Sequence, residues 1–373
     1  MKKTLAILLI AILATGSMFA AFSGDASVTL GSTLDGKTYG FDNTKSFKAN
    51  VTLAEETVEN VEEGDWYAGI KATLKVSLPE ATDSVTDSPV KLDLATAEAY
   101  VTNGTYKIGI LGTPGAAAYA AQIEPVDNKD KFNVTSLFKN KKGLTVSGPN
   151  ATAGLGLETG KWSVSLESND ITLAEGVTAK AFVGVANEGI GASAKVAYAT
   201  DAATVKLAAD YTSSLKFKTV DVATRATVGI TSVADVDAYF WLGGEQLEVK
   251  AVEKATGYDI TAKAYDLLGE KDLSAAATVT VDALAFTPSV GYVIKTKALN
   301  AGLKTVYTQD AYKVTADVQA KEISTAVVVT PSIKVESSAL VAGADLSLGW
   351  SDASYAKAAQ NNGKIEAKCT IKF

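Results

Sequence analysis

Eight charged residues stand in pairs at even spacing within alternating runs of the sequence: Lys71 and Lys75, Asp221 and Arg225, Lys313 and Asp317, Lys334 and Glu336. Residues an even number apart in an extended chain share a face. Each pair therefore offers its charges to the same side. Such charges can hold or repel ions along a wet surface, and a ring of one sign favours counter-ions. Here the signs are mixed, which leaves cation and anion preference both open. Taken singly, each residue is equally well a solvated charge on a strand face.

Covalent chemistry has fewer candidates. The chain contains no His, which removes the commonest general base and the commonest transition-metal ligand. Ser–His and Cys–His nucleophile pairs go with it. Carboxylate pairs such as Asp235 and Asp237 are scattered strand or loop charges. Glu55, Glu56, Glu59, Glu62, Glu63 and Asp65 crowd one connection without the ligand spacing of an oxygen-bound cation site, and Asp127–Asp130 reads the same way. No phosphate-cradling Gly loop and no metal-ligand cluster is present in the pattern. The expectation is a protein with no catalytic residues, no cofactor and no metal. With 35 basic and 42 acidic residues the net charge is −7, which is not the basic footprint of a nucleic-acid binder.

The elements that carry these charges are strands. In "WYAGIKATLKVSL" Trp66, Ala68, Ile70, Ala72, Leu74, Val76 and Leu78 alternate with Tyr67, Gly69, Lys71, Thr73, Lys75 and Ser77. "AYKVTADVQAK", "TAVVVTPSIKVES" and "SALVAGADLSLGWS" repeat the pattern, each with one apolar and one polar face. Gly and Asn clusters such as "TG" at Thr159, "NEG" at Asn187 and "GG" at Gly243 punctuate the runs and supply the positive φ of tight hairpins. At ~20 residues per strand and connection, the spacing predicts roughly 16–18 strands. No linker or composition shift divides them.

The two ends constrain where the strands live. "MKKTLAILLIAILATGSMFAAFSGD" has a basic start, an apolar core and a small-residue tail, the pattern of a secretory signal peptide. Residues 1–20 are assigned to it, with a cut after Ser23 as the alternative. Beyond it no run approaches the ~20 apolar residues of a membrane helix. Cys369 is the only Cys, so no internal disulfide is available. The last residues, "GKIEAKCTIKF", alternate without a break, with Ile365, Ala367, Cys369, Ile371 and Phe373 on the apolar side.

A soluble sandwich turns apolar faces inward, whereas a membrane barrel turns them to lipid. Polar faces rich in Gly, Ser, Thr and Ala favour the barrel. So do aromatics near strand ends, among them Trp66, Trp162, Tyr211, Phe217, Phe240, Trp241, Tyr258, Tyr292, Tyr312 and Trp350. In a closed barrel the terminal strand must pair with the first, so it has to be a complete amphipathic strand. The apolar alternation ending in Phe373 also resembles the signal by which barrel assembly machinery recognises its clients. The fold class expected is all-β: a transmembrane antiparallel barrel of residues 24–373 in the outer-membrane lipid of a bacterium. One stretch breaks the pattern. Residues 113–143 form an irregular, helix-prone loop, which either folds inward to narrow a pore or lies on the surface.

Leu34, Asp35, Gly36, Lys37, Gly40, Phe41 and Thr44 in "LDGKTYGFDNT", followed by Ala99, Tyr100, Val101, Gly112 and Thr113 further on, give the chain a family likeness. Its N-terminal third resembles that of the treponemal major outer sheath, or major surface, proteins of spirochaetes. The resemblance implies a surface-exposed, pore-forming outer-membrane protein, oligomeric (a homotrimer being one form) and often an adhesin for host extracellular matrix proteins. In some relatives the N-terminal region is thought to stand apart from the barrel. The expectation is thus a porin passing small hydrophilic solutes or ions, with the eight charges lining its pore. The alternative is a surface adhesin or antigen whose barrel is only an anchor.

Overall fold

Alternating strands expose backbone N–H and C=O groups at every unpaired edge, and closure into a ring removes the edges. In the computed structural model of this chain that ring is complete. The structure describes residues 20–35, 38–53, 64–78, 91–112, 115–123, 132, 134–138, 142–214, 219–256, 258–269, 271–352 and 363–372. Within these, 20–35, 38–53, 70–78, 91–98, 111–112, 136 and 372 are described as backbone alone. Residues 1–19 of the expected signal peptide, most of the acidic connection at 55–65 and the Asp127–Asp130 stretch lie outside the described residues, while Ala20 opens the first strand.

The first strands are β1 (Ala20–Asp35), β2 (Thr38–Leu53), β3 (Tyr67–Leu78), β4 (Lys91–Thr102), β5 (Lys107–Gly112), β6 (Lys142–Ser147), β7 (Ala151–Glu158) and β8 (Lys161–Ser168). They are followed by β9 (Ile171–Ala174), β10 (Val177–Ala186), β11 (Gly189–Ala199), β12 (Ala203–Ser214), β13 (Thr219–Ile230), β14 (Ala234–Trp241) and β15 (Gln246–Glu253). The ring is completed by β16 (Asp259–Tyr265), β17 (Asp272–Val281), β18 (Leu284–Val293), β19 (Ala298–Thr308), β20 (Lys313–Lys321), β21 (Val328–Val341), β22 (Ala344–Ser351) and β23 (Lys364–Lys372). Successive strands pair antiparallel, except that β8 and β9 lie end to end and both pair with β10. The last strand closes on the first, in register from Asp25↔Lys372 to Thr33↔Lys364.

Because β8 and β9 share one position, the 23 strands among the described residues fill 22 places around the barrel. This exceeds the 16–18 expected from spacing. The cause is economy of chain: connections such as 159–160, 187–188 and 282–283 take two residues each, and β5 and β6 are only 6 residues long. Turns this tight need left-handed backbone, which Gly160 (φ 72) and Gly343 (φ 76) supply without a Cβ clash.

An even number of places brings the start of β1 and the end of β23 to the same end of the barrel. Connections at that end are mostly short, as at 103–106, 148–150, 175–176, 200–202 and 342–343, with 54–66 as the long exception. The strand ends that flank the long connections 79–90, 113–141 and 352–363 lie at the opposite end.

Which face points outward is settled by burial. On β8 Ser165 is 6% exposed and its neighbour Leu166 48%; on β10 Phe182 is 2% exposed and Val183 48%. The same parity puts Val196, Leu207, Val228, Val236, Leu303, Val318, Ile333 and Leu348 on the outside. In water such a belt would far exceed the few hundred Å² of apolar patch that soluble monomers present. Against lipid it is the expected outer surface of a barrel. On β23, Ile365 and Ile371 are exposed on this apolar side and Cys369 is half-buried. Ala367 and Cys369 border an outer groove with Val335, Leu340, Leu346 and Leu348. Phe373 lies outside the described residues.

Candidate functional site: the inner wall and the segment latched to it

With apolar side chains turned out, the packed core among the described residues lies inside the barrel, where the β5–β6 connection meets the wall. Two clusters make it: Ala120, Ala223, Tyr239 and Trp241, and Val134, Phe138, Phe182 and Ala186. The run "GAAAYAAQ" has the composition of a helix, yet residues 115–123 carry no helical turn. Their backbone donors are spent on the wall instead. The Tyr119 N–H donates to Ser193 Oγ (2.9 Å) and Asp210 Oδ1 (3.0 Å), and the Ala120 N–H donates to Asp210 Oδ2 (3.1 Å). Further on, the Ile123 N–H donates to Glu248 Oε2 (3.1 Å), and Gln122 Nε2 to Gln246 Oε1 (2.6 Å). Charge-assisted bonds to fixed carboxylates outweigh a helix propensity of a few tenths of a kcal/mol per residue.

The second half of the insertion is held by rings. A 3₁₀ turn at Val134–Leu137 places Phe138 edge-on to Phe182, centroids 5.3 Å apart, and Phe132 stands edge-on to Trp241 at 6.1 Å. The wall makes room for them with glycine. A Cβ on Gly184 would lie 2.5 Å from Phe138 Cε1, and one on Gly191 would lie 2.8 Å from Val134 Cγ1. Trp241, expected in an interfacial aromatic girdle, is instead buried inside, because its parity on β14 is that of the inner face. Its Nε1 donates to Asp221 Oδ2 (2.6 Å). Trp66, Trp162, Tyr211, Phe240, Tyr258, Tyr292 and Tyr312 are exposed. Phe217 lies outside the described residues.

Charges concentrate around the latch. Glu167 accepts from Tyr119 Oη (2.8 Å) and pairs with Lys180 Nζ (2.8 Å). Burial, and then the Glu167 hydrogen bond, raise the Tyr119 phenol well above its ordinary value. Lys195 Nζ sits 5.2 Å from the Tyr119 ring centroid, within range of a cation–π attraction.

Of the eight charges singled out in the sequence, six have described side chains. Asp221 accepts from Trp241 and from the Gly243 N–H (2.7 Å), so it braces the β14–β15 turn. Arg225 pairs through Nε with Asp237 Oδ1 (3.2 Å) and reaches the Ala121 carbonyl of the inserted segment at 3.4 Å. Lys313, Lys334 and Glu336 line a separate cavity of ≈ 470 Å³ together with Asp345 and Lys368, and Lys334 pairs with Glu336 at 2.6 Å. Asp317 accepts from Gln319 Nε2 (2.6 Å). Lys71 and Lys75 lie on β3, with side chains outside the description. These charges form no single ring: Asp221 and Arg225 belong to the latch side, and the four on β20 and β21 to another part of the wall.

Sequence reasoning missed Asp210, Glu248 and Glu167, the carboxylates that hold the insertion. Each sits at a polar-face position like any other, and its partner lies 48 to 125 residues away. The glycines did carry a signal. In "FVGVANEGIGAS", Gly184 and Gly191 interrupt two neighbouring strands, a pattern that marks close approach of another chain segment.

No family model matches the sequence, and no curated protein matches it. Among solved structures the chain is similar to engineered variants of the porin of Rhodopseudomonas blastica. A variant with five substitutions is 12% identical with a TM-score of 0.36, and a variant with two is 11% identical with a TM-score of 0.35. A triple mutant is 10% identical with a TM-score of 0.36. Each comparison covers 95% of this chain and 100% of the other.

Proposed function

We propose that this protein is an outer-membrane porin, a passive channel through which small hydrophilic solutes or ions diffuse down their gradients. The observation that carries the reading is the coincidence of three features in one ring: closed pairing, an apolar outside, and a charged inside partly occupied by its own β5–β6 connection. A ring of 22 places is wide enough to enclose water, and the latched segment narrows it from one wall. Bacterial barrels keep short turns on the periplasmic side and longer loops outside. By that rule the short-turn end faces the periplasm, and the insertion enters from the extracellular mouth.

A display anchor would need the outer belt but has no use for a charged inner wall with a buried latch. That difference favours the channel over the adhesin suggested as the alternative by the likeness to the treponemal family. Purified protein reconstituted into planar bilayers tests the reading. Stepwise openings in potassium chloride are expected. A silent bilayer, with binding to matrix proteins retained, would refute the channel in favour of the anchor.

A further inference from the structure

The inner wall beside Tyr119 is uneven. Pairing sets Lys195 opposite Ala208 and Ala208 opposite Arg225; one step along, Ala197 faces Lys206 and Lys206 faces Thr227. Two alanines thus lie between three cations. The space left is a cavity of ≈ 310 Å³ whose lining includes Tyr119, Lys195, Lys206 and Arg225, with Thr178 and Thr227 at its edges. Among the described residues no carboxylate lines it.

The acids nearby are already engaged, Asp237 with Arg225 itself. Glu167 holds Lys180 and the Tyr119 hydroxyl, Asp210 holds the amides of Tyr119 and Ala120, and Asp237 holds Arg225 and Thr227. Asp170 approaches Lys195 only to 3.9 Å, in a pair with both side chains well exposed, the kind that contributes little. Lys206 forms no hydrogen bond or ion pair among the described residues.

From this geometry we infer that the wall beside the latch is a binding subsite for a small oxyanion with two or more negative oxygens, of the carboxylate or phosphate class. Arg225 spends its Nε on Asp237 and reaches the Ala121 carbonyl through Nη1, which leaves Nη2 as its donor to either group. Lys195 and Lys206 flank it from the neighbouring strands, so an anion with several oxygens can bridge cations that a single-atom ion would contact one at a time. The position matters because the site adjoins the inserted segment, so an occupant stands where the lumen is already narrowed. The inference rests on the channel reading for its transport meaning, though not for the binding itself.

Single-channel recording in dilute potassium chloride, with citrate and inorganic phosphate added separately, tests it. Concentration-dependent interruptions of the current are expected from at least one of the two probes. Block by citrate alone assigns the carboxylate source, and block by phosphate alone assigns the phosphate source. Lys206→Gln and Lys195→Gln should each raise the half-blocking concentration about tenfold, one charge-assisted contact's worth. Lys304→Gln, on β19 and away from the cavity, should leave it unchanged. Absence of block by either probe, a Lys206→Gln channel blocked like the original, or an equal effect of Lys304→Gln would overturn the subsite.

A silent bilayer would refute the channel and not the subsite. Calorimetric titration of the detergent-solubilised full chain with citrate and phosphate then decides. Binding weakened in Lys206→Gln supports the site, and no binding of either anion overturns it.

Discussion

Asp210→Asn probes the latch with the least change of shape. In the native wall, Asp210 Oδ1 accepts from the Tyr119 N–H and from Ser193 Oγ (2.5 Å), while Oδ2 accepts from the Ala120 N–H. An asparagine can keep its carbonyl at the first position, but it then turns an NH₂ group toward the Ala120 N–H. One charge-assisted bond is lost, two others become neutral, and two donors face each other at a site 1% exposed. A hydrogen bond to a charged group contributes about 1.5–3 kcal/mol. Tyr119 retains Ser193 as a second acceptor, and relief of the buried charge offsets part of the loss. The expected net cost is therefore about 2–3 kcal/mol, roughly 30- to 150-fold in the docking equilibrium.

Amide hydrogen exchange on the solubilised protein reads this directly, because local opening sets the exchange rate of amides held by a local contact. Exchange at Tyr119 and Ala120 should quicken by that factor, and β20–β21 should be unaffected. Unchanged protection at 119–120 would refute the claim that Asp210 holds the segment. Equal loss of protection around the whole ring would refute its confinement to the latch.

Gly184→Val should push Phe138 off the wall at an overpacking cost of about 1–3 kcal/mol, seen as faster proteolysis within the β5–β6 connection while the barrel stays closed. Val318→Lys, on the outer face of β20, should destabilise the barrel in vesicles by about 2–4 kcal/mol if it lies near mid-membrane. Thr315→Lys, on the inner face of the same strand, should cost much less; equal urea midpoints for the two variants would contradict the assigned faces. Tyr119 supplies a pH test. Its docked phenol titrates above the ordinary value of 10.0, so the undocked form ionises first. The docking contribution is therefore complete below about pH 10 and is lost as the pH rises beyond it. Tyrosinate absorbance should show a late-titrating component that Tyr119→Phe diminishes by one phenol.

The barrel was legible because its signal is local and repeated. Alternation in "AYKVTADVQAK" assigns Val314 and Val318 to one face and Asp317 to the other from the period alone, and on β20 Val318 is exposed while Asp317 is half-buried. Strand number was less legible, since it depends on how short a connection can be, and a two-residue turn at 282–283 needs no Gly when Asp282 adopts φ 51. The latch was nearly illegible. Asp210 and Glu248 differ from other polar-face residues only through contacts to a segment remote in sequence. Composition argued for a helix at 115–123, and tertiary hydrogen bonds overrode it. Two of the three cations of the proposed subsite were missed for the same reason. Lys195 and Lys206 become neighbours of Arg225 only through the register of β11, β12 and β13.

The most direct measurement of what surrounds this ring is the accessibility of spin labels placed singly at 333, 334, 335 and 336 on β21, in a Cys369→Ala background reconstituted into lipid. Labels at 333 and 335 should collide with oxygen dissolved in the bilayer, and labels at 334 and 336 with a water-soluble paramagnetic complex. A reversed alternation, or water access at all four positions, would contradict the assignment of lipid to the apolar face and water to the charged one.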